Sequence, residues 1–239
     1  MDNPLVSVII PTKNEGKIIE ACLCSLREQT TKHDFEIIMV DTNSRDNTLE
    51  LAEKYGAKIV KENRPGKNKA REAGSNHATG EILCFTEADC QVPATWIDTI
   101  VKTFESHREA AAVTGIYTFS NSTFGYRAML GVTLPLSVVM FWLVHGHHSL
   151  RGTNFAIRRK HLKQAGGFDP QIMDFDDVEL SMRAQEVGKI LFVPAMKVKT
   201  LDRRVRGRLL KFLQEYWVTY YKACIKREKM PYPMYDDIR

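Results

Sequence analysis

Apolar positions along the chain follow two rhythms, and their alternation sets the architecture. Residues 6–10 (VSVII), 35–40 (FEIIMV) and 81–86 (EILCFT) are short, β-branched or apolar runs, each closed by proline or an acid. Runs of that length and continuity are expected of strands buried on both faces of a parallel sheet. Between them the period changes. Residues 15–27 carry Ile18, Ile19, Cys22, Leu23 and Leu26 on one helical stripe. Residues 48–55 predict a second helix closed by Gly56, and residues 69–78 a third closed by Gly80, with a short strand at 58–60 before it. Strand and helix alternate throughout, so residues 5–115 are expected to form a mostly parallel, doubly wound α/β sheet.

Ligands of such sheets bind beyond the carboxyl ends of the strands. Here those ends carry Thr12, Lys13 and Asn14, then Asp41, then Glu87 and Asp89, a convergence that predicts one polar crevice. The first strand is followed by proline and Lys-Asn-Glu, not by GxGxxG, which argues against a dinucleotide-dependent dehydrogenase.

Two acidic clusters carry the candidate chemistry. Glu87 and Asp89, at i and i+2 after a buried strand, can aim two carboxylates at one cation. Mg²⁺ and Mn²⁺ take one or two carboxylates and complete their shell with substrate phosphates. A solvated acidic turn is the plainer account of such a pair. The second cluster follows Gly166-Gly167-Phe168-Asp169 and comprises Asp174, Asp176, Asp177 and Glu179, at the start of a helix running to Val187. A carboxylate there is held ionised by the helix dipole and, facing the crevice, can act as a general base. Simple N-capping by Asp176 or Asp177 is the alternative.

Residues 128–144 contain no charge, seventeen in a row, at the lower limit for a membrane span. A span would put Glu87 and Asp89 on the other side of a bilayer from Asp177, so it is rejected. Gly131 and Pro135 weaken a continuous helix, leaving a buried helix pair or a segment at the membrane interface. Residues 208–227 predict a C-terminal helix with Leu209, Leu210, Leu213, Trp217, Tyr220 and Cys224 on an apolar stripe. Its flanking lysines and arginines suit either docking on the sheet or an anionic membrane surface. His145, His147 and His148 lack an acidic or cysteine partner nearby and are expected in a polar loop.

The chain has 239 residues, 44% hydrophobic and 26% charged, the profile of a globular protein with one large domain. Its net charge is +5, yet residues 197–229 hold eleven Lys or Arg against three acids, a local +8 that leaves the rest near −3. That arm suggests a phosphate, an anionic membrane surface or nucleic acid, with a solvated helix face as the plainer account. No RRM, KH or helix-turn-helix signature supports a nucleic-acid partner. Five scattered cysteines and no signal-peptide pattern point to reduced thiols and a cytoplasmic location; the interfacial option for 128–144 and 208–227 would add peripheral contact at the cytoplasmic face of the membrane.

Several ordered blocks bring a specific resemblance. Residues 6–15 (VSVIIPTKNE) resemble the opening of the inverting family 2 glycosyltransferases, which have the GT-A fold. Residues 41–48 (DTNSRDNT) resemble their DDGSxDxT turn, and residues 66–71 (GKNKAR) their G…AR block. Glu87-Ala88-Asp89 occupies the DxD place. Gly152-Thr153-Asn154, Gly166-Gly167-Phe168-Asp169 and Asp176-Asp177-Val178-Glu179-Leu180 match the acceptor-side blocks. The resemblance covers residues 5–200.

It implies one GT-A-like (Rossmann-like) domain at 1–200, with a nucleotide-sugar-binding half at 1–115, an acceptor-side half at 116–200 and a basic helical appendage at 201–239. It further implies that Pro11, Glu15, Asp41 and Lys69 contact the nucleotide of a UDP- or GDP-sugar. Asp89 would hold Mn²⁺ or Mg²⁺ on the diphosphate with help from Glu87, and Asp177 would be the catalytic base. Gly152, Thr153, Asn154 and Asp176 would face the acceptor, a glycan or lipid-linked molecule. Arg204, among Arg203, Arg206 and Arg208, would meet the donor diphosphate or a lipid-linked phosphate. The sequence departs from the pattern at Glu87 (for Asp), at Asp176 (for Glu), and at Lys199 and Asp202, where relatives carry His. QxxRW of the processive synthases is absent, so one sugar per visit is expected. A catalytically silent nucleotide-sugar-binding protein that recruits partners is the alternative.

Overall fold

A computed structural model describes residues 5–120, 124–172, 175–203, 209–226 and 228. Arg204, Asp174, Arg206 and Arg208 lie outside the described residues.

The first half follows the predicted alternation: β1 (Val6–Thr12), α1 (Ile19–Arg27), β2 (Phe35–Asp41), α2 (Thr48–Lys54), β3 (Lys58–Lys61), α3 (Lys67–His77) and β4 (Ile82–Phe85). Then come β5 (Cys90–Gln91), α4 (Trp96–Ser106), β6 (Ala110–Ser120), α5 (Phe124–His145), β7 (Phe155–Arg158), α6 (Arg159–Gln164), α7 (Asp176–Val187), β8 (Lys189–Leu201) and α8 (Leu209–Tyr220). A π-helical turn, Tyr221–Ile225, continues α8.

One eight-stranded sheet runs β3-β2-β1-β4-β7-β6-β8-β5. β3, β2, β1 and β4 pair in parallel, as do β6 and β8. β7 is antiparallel to both β4 and β6, so the strand that joins the two parallel groups points the other way. Alternate residues of β1 explain why it sits at the centre. Val6, Val8 and Ile10 enter a layer with α1 and α4, through Leu23, Leu26, Trp96, Ile100 and Phe104, whereas Ile9 enters the opposite layer with α3, α6 and α7. α3 lies flat on the sheet because Gly74 gives it room: a Cβ there would stand 2.5 Å from Ile9 Cγ2.

Two expectations change. α1 begins at Ile19 rather than at residue 15, because Asn14 adopts φ 52° and the Glu15 carbonyl turns to accept from Ile18 and Ile19. α5 is one continuous helix of 22 residues with Pro135 inside it. A proline ring crowds the carbonyl four residues back, and here that residue is Gly131, whose backbone can yield. On the apolar stripe of α8, for which docking on the sheet and a membrane surface were both open, Leu210 is exposed, whereas Tyr220 and Cys224 are buried. Among the described residues no helix is long and apolar enough to cross a membrane.

Candidate active site

The carboxyl ends of β1 and β2 are clasped by their loops. Asp41, at the end of β2, is buried and accepts from the Ser44 N–H at 3.1 Å. The Ser44 hydroxyl accepts from the Asn14 N–H, and Asn14 Oδ1 accepts from the Arg45 N–H, both at 2.8 Å. Thr48 Oγ1 accepts from the Glu15 N–H at 2.8 Å. Pro11 pairs with Val40 in the same region, and Lys69 stands in the first turn of α3. Pro11, Glu15 and Asp41 therefore share one wall, built as the loop sequence requires.

The next strand end carries the first acidic cluster. Glu87 and Asp89 lie in a tight turn, closed by the Cys90 N–H donating to the Glu87 carbonyl at 3.0 Å, between β4 and β5. The two carboxylates face different partners. Glu87 Oε1 is 2.6 Å from Lys67 Nζ and 3.5 Å from Arg71 Nη2. Asp89 Oδ2 is 3.3 Å from Arg203 Nη2, which also lies 3.1 Å from Glu15 Oε2, and Asp89 Oδ1 accepts from the Thr200 hydroxyl at 3.3 Å. β8 delivers Thr200 and Arg203 to this spot because its end pairs with β5, Thr200 opposite Cys90.

Arg71 joins this cluster to the second. It is almost wholly buried on the inner face of α3, with Nη1 2.5 Å from Asp176 Oδ2 and Nη2 donating to the Gly152 carbonyl at 3.1 Å. Burial opposes its charge, but Asp176, Glu87 and Asp177 outweigh that and keep it cationic. At Gly152 a Cβ would stand 2.3 Å from Arg71 Nη2, so any side chain there would displace the guanidinium.

Asp177 opens α7 beside Asp176. Its Oδ2 accepts from the Gly152 N–H at 2.5 Å and its Oδ1 from the Val178 N–H at 2.9 Å. Burial, with the Asp176 charge next to it, pushes its carboxyl up to about 6 against the opposing pull of Arg71 and those two N–H groups. A carboxylate poised there is ionised at neutral pH and basic enough to take a proton. Asn154, by contrast, is turned into the sheet. Its Nδ2 donates to the carbonyls of Ile116 and Met196 at 2.8 and 2.6 Å, and its Oδ1 accepts from Trp96 Nε1 at 2.9 Å. The Thr153 carbonyl accepts from the Thr86 hydroxyl at 3.1 Å, which ties the acceptor-side loop to the end of β4.

The two acidic clusters thus meet through one guanidinium, and the bridge itself was not singled out from sequence. Arg71 was visible only as part of the GKNKAR block, although a lone cation between Ala70 and Gly74 on a helix face was a signal. Lys67 gave none. His145, His147 and His148 are held by aromatic and backbone contacts, His145 Nε2 to the Cys224 carbonyl at 2.8 Å.

Among the described residues no three His, Cys, Asp or Glu side chains form a group that could hold a metal ion. A cation bound mainly by donor phosphates needs fewer protein ligands. Asp89 fits that role, because a cationic guanidinium already sits at its carboxylate. Glu87, facing Lys67 and Arg71, fits better as the counter-charge that anchors them.

The sheet that carries the polar loops at the ends of β1, β2 and β4 and the acidic pair opening α7 has the GT-A fold. Residues 7–166 match the family model for glycosyl transferase family 2, and the chain belongs to that family. It is 27% identical over 215 residues to glycosyltransferase AglE of Haloferax volcanii, covering 87% of this chain and 70% of the relative. It is 30% identical over 211 residues to the probable glycosyltransferase YdaM of Bacillus subtilis, covering 80% of this chain but 49% of the relative, so the chain spans about half of that protein. In fold it is similar to the mannosyltransferase PcManGT of Pyrobaculum calidifontis in complex with GDP-Man and Mn²⁺, with a TM-score of 0.74, 23% identity and coverage of 97% of this chain and 67% of the other.

Proposed function

We propose that this domain transfers a sugar from a nucleoside diphosphate sugar to an acceptor with inversion at the anomeric carbon, dependent on a divalent cation. The observation that carries the reading is Asp177: a carboxyl pushed up to about 6, fixed by the Gly152 N–H and tied through Asp176 and Arg71 to the Glu87–Asp89 turn. The donor lies against Pro11, Glu15, Asp41 and Lys69, with its diphosphate toward Asp89 and the cations Arg203 and Arg204. Mn²⁺ or Mg²⁺, when bound at Asp89, offsets the charge gathering on the departing diphosphate.

The acceptor hydroxyl stands beside Asp177, near Gly152 and Thr153. As its oxygen bonds to the anomeric carbon, its proton passes to Asp177 Oδ. The bond from that carbon to the phosphate oxygen breaks, and the nucleoside diphosphate leaves with the electron pair. One displacement inverts the centre, and one sugar moves per visit. The basic arm and the uncharged run at 128–144 support a lipid-linked acceptor, glycan or phosphate, reached at the cytoplasmic face of a membrane.

A catalytically silent nucleotide-sugar binder that recruits partners is the second reading, favoured by the pairing of Glu87 with Lys67 and Arg71. Donor hydrolysis assayed with and without Mn²⁺ separates the two. Cation-dependent turnover that Asp89→Ala abolishes supports the transferase; tight donor binding with no turnover from any donor establishes the silent binder.

A further inference from the structure

α5 is amphipathic in the reverse sense. Thr133, Ser137 and Phe141 turn toward the protein, and Ser137, 3% exposed, is bonded twice: its Oγ accepts from the Tyr216 hydroxyl and its carbonyl from the Tyr220 hydroxyl, both at 2.9 Å. Val132, Leu136, Val139, Met140 and Leu143 turn outward, with Val132 and Leu143 67% and 69% exposed. At 100° per residue these five fall within an arc of about 100°, a single uncharged stripe about 16 Å long. In water that arrangement is inverted, because the hydrogen-bonding side chains are covered and the aliphatic ones bared.

The neighbouring helix repeats the pattern. Leu210, Val218, Tyr221 and Ile225 are exposed along one side of α8 and its π-helical turn. Lys211, Lys222 and Lys226 are exposed beside them, and Lys226 lies over the Tyr221 ring at 5.7 Å. Two acids temper this edge, Glu215 3.7 Å from Lys211 and Glu228 3.7 Å from Lys226, within the segment whose sequence carries a local +8.

The geometry points to the outer faces of α5 and α8 as a docking surface for an anionic lipid bilayer, lying in its interface. Aliphatic stripes enter the acyl boundary while the lysines meet acidic headgroups. A second copy of the chain is disfavoured by charge, since a twofold contact would bring one lysine-edged patch against itself. The two helices pack against the catalytic end of the molecule. Val178, next to Asp177, packs with Phe141, Tyr220 and Cys224 in one cluster, so the helix that carries the base rests on the docking pair. An acceptor whose sugar or phosphate projects from the bilayer would then arrive beside Asp177. The acceptor claim rests on the transferase reading above; the docking claim rests on the helix faces alone.

Vesicle flotation of the full chain tests it, with phosphatidylcholine alone and with an equimolar phosphatidylglycerol mixture. The wild type is expected to float with the anionic vesicles, more weakly as salt rises. Leu136→Glu combined with Leu143→Glu should lower the bound fraction on the order of tenfold or more while thermal stability stays unchanged, since both side chains already face solvent. A wild type that fails to float overturns the proposal, as does flotation that survives both substitutions. So does a dimer, seen by light scattering, that the double substitution dissolves without any effect of vesicles. Donor turnover is read from the same samples without lipid, so failure of the transferase reading appears there and not in flotation.

Discussion

Arg203 Nη2 lies 3.3 Å from Asp89 Oδ2, so a guanidinium stands at the carboxylate proposed to meet the cation. The same group reaches Glu15 at 3.1 Å, which spans the mouth of the crevice from the end of β8 to the loop after β1. A divalent ion and Arg203 therefore compete for one negative charge. Arg203→Gln is expected to lower severalfold the Mn²⁺ concentration needed for half occupancy, measured by electron paramagnetic resonance of the free ion without nucleotide. An unchanged titration would mean that Arg203 and the ion do not compete at Asp89 when no donor phosphate is bound.

In the proposed transfer Asp177 is the base and so sets the acidic limb of the rate. Its carboxyl is pushed up to about 6 by burial and by Asp176, and only its ionised form would accept the proton. Turnover at saturating donor should be level above that pH and fall about tenfold per unit below it, as the carboxylate takes up a proton. Asp177→Asn should lower turnover by about 10²-fold or more and remove the limb, with donor binding by calorimetry retained. A limb that persists in this variant would assign the titration to another group.

Arg71 acts through its neighbours, as a positioning residue. Its removal in Arg71→Met leaves Asp176 buried without its cation, a loss expected to cost about 3–5 kcal/mol in denaturant unfolding. Arg71→Lys keeps a charge but loses the fork that reaches Asp176 and the Gly152 carbonyl together. Arg71 also pulls the Asp177 carboxyl down. In the lysine variant the acidic limb should therefore move to higher pH, a displacement that a purely structural arginine would not cause. Gly152→Ala, whose methyl meets Arg71 Nη2, should reproduce part of that shift.

Much of the fold was legible because β1, β2 and β4 are continuous apolar runs and α2 ends on a glycine at φ 71°. Two kinds of information were not. Long-range pairing decides the place of β7, four residues whose sequence does not say that they separate β4 from β6. Local relief decides the continuity of α5, where the stiff Pro135 is tolerated four residues after a glycine. The site divides in the same way. Candidate acids were visible as clusters, but the direction of each side chain was not, so Glu87 and Asp89 looked alike although one faces Lys67 and Arg71 and the other Arg203. Asn154, read as acceptor-side, is committed to Trp96, Ile116 and Met196.

The position of β7 bears on how this enzyme fold can be cut. Phe155 faces Phe85 on one side and Thr114 on the other, and its ring stacks on that of Phe85 at 4.5 Å. A fragment ending near residue 115 would retain every strand that forms the donor wall, yet it would lack the wedge that seals β4 to β6. Both edges would be left with unpaired backbone groups and bare aromatic surface, an invitation to aggregate. The segments before and after residue 115 share that keystone, and neither is a detachable module.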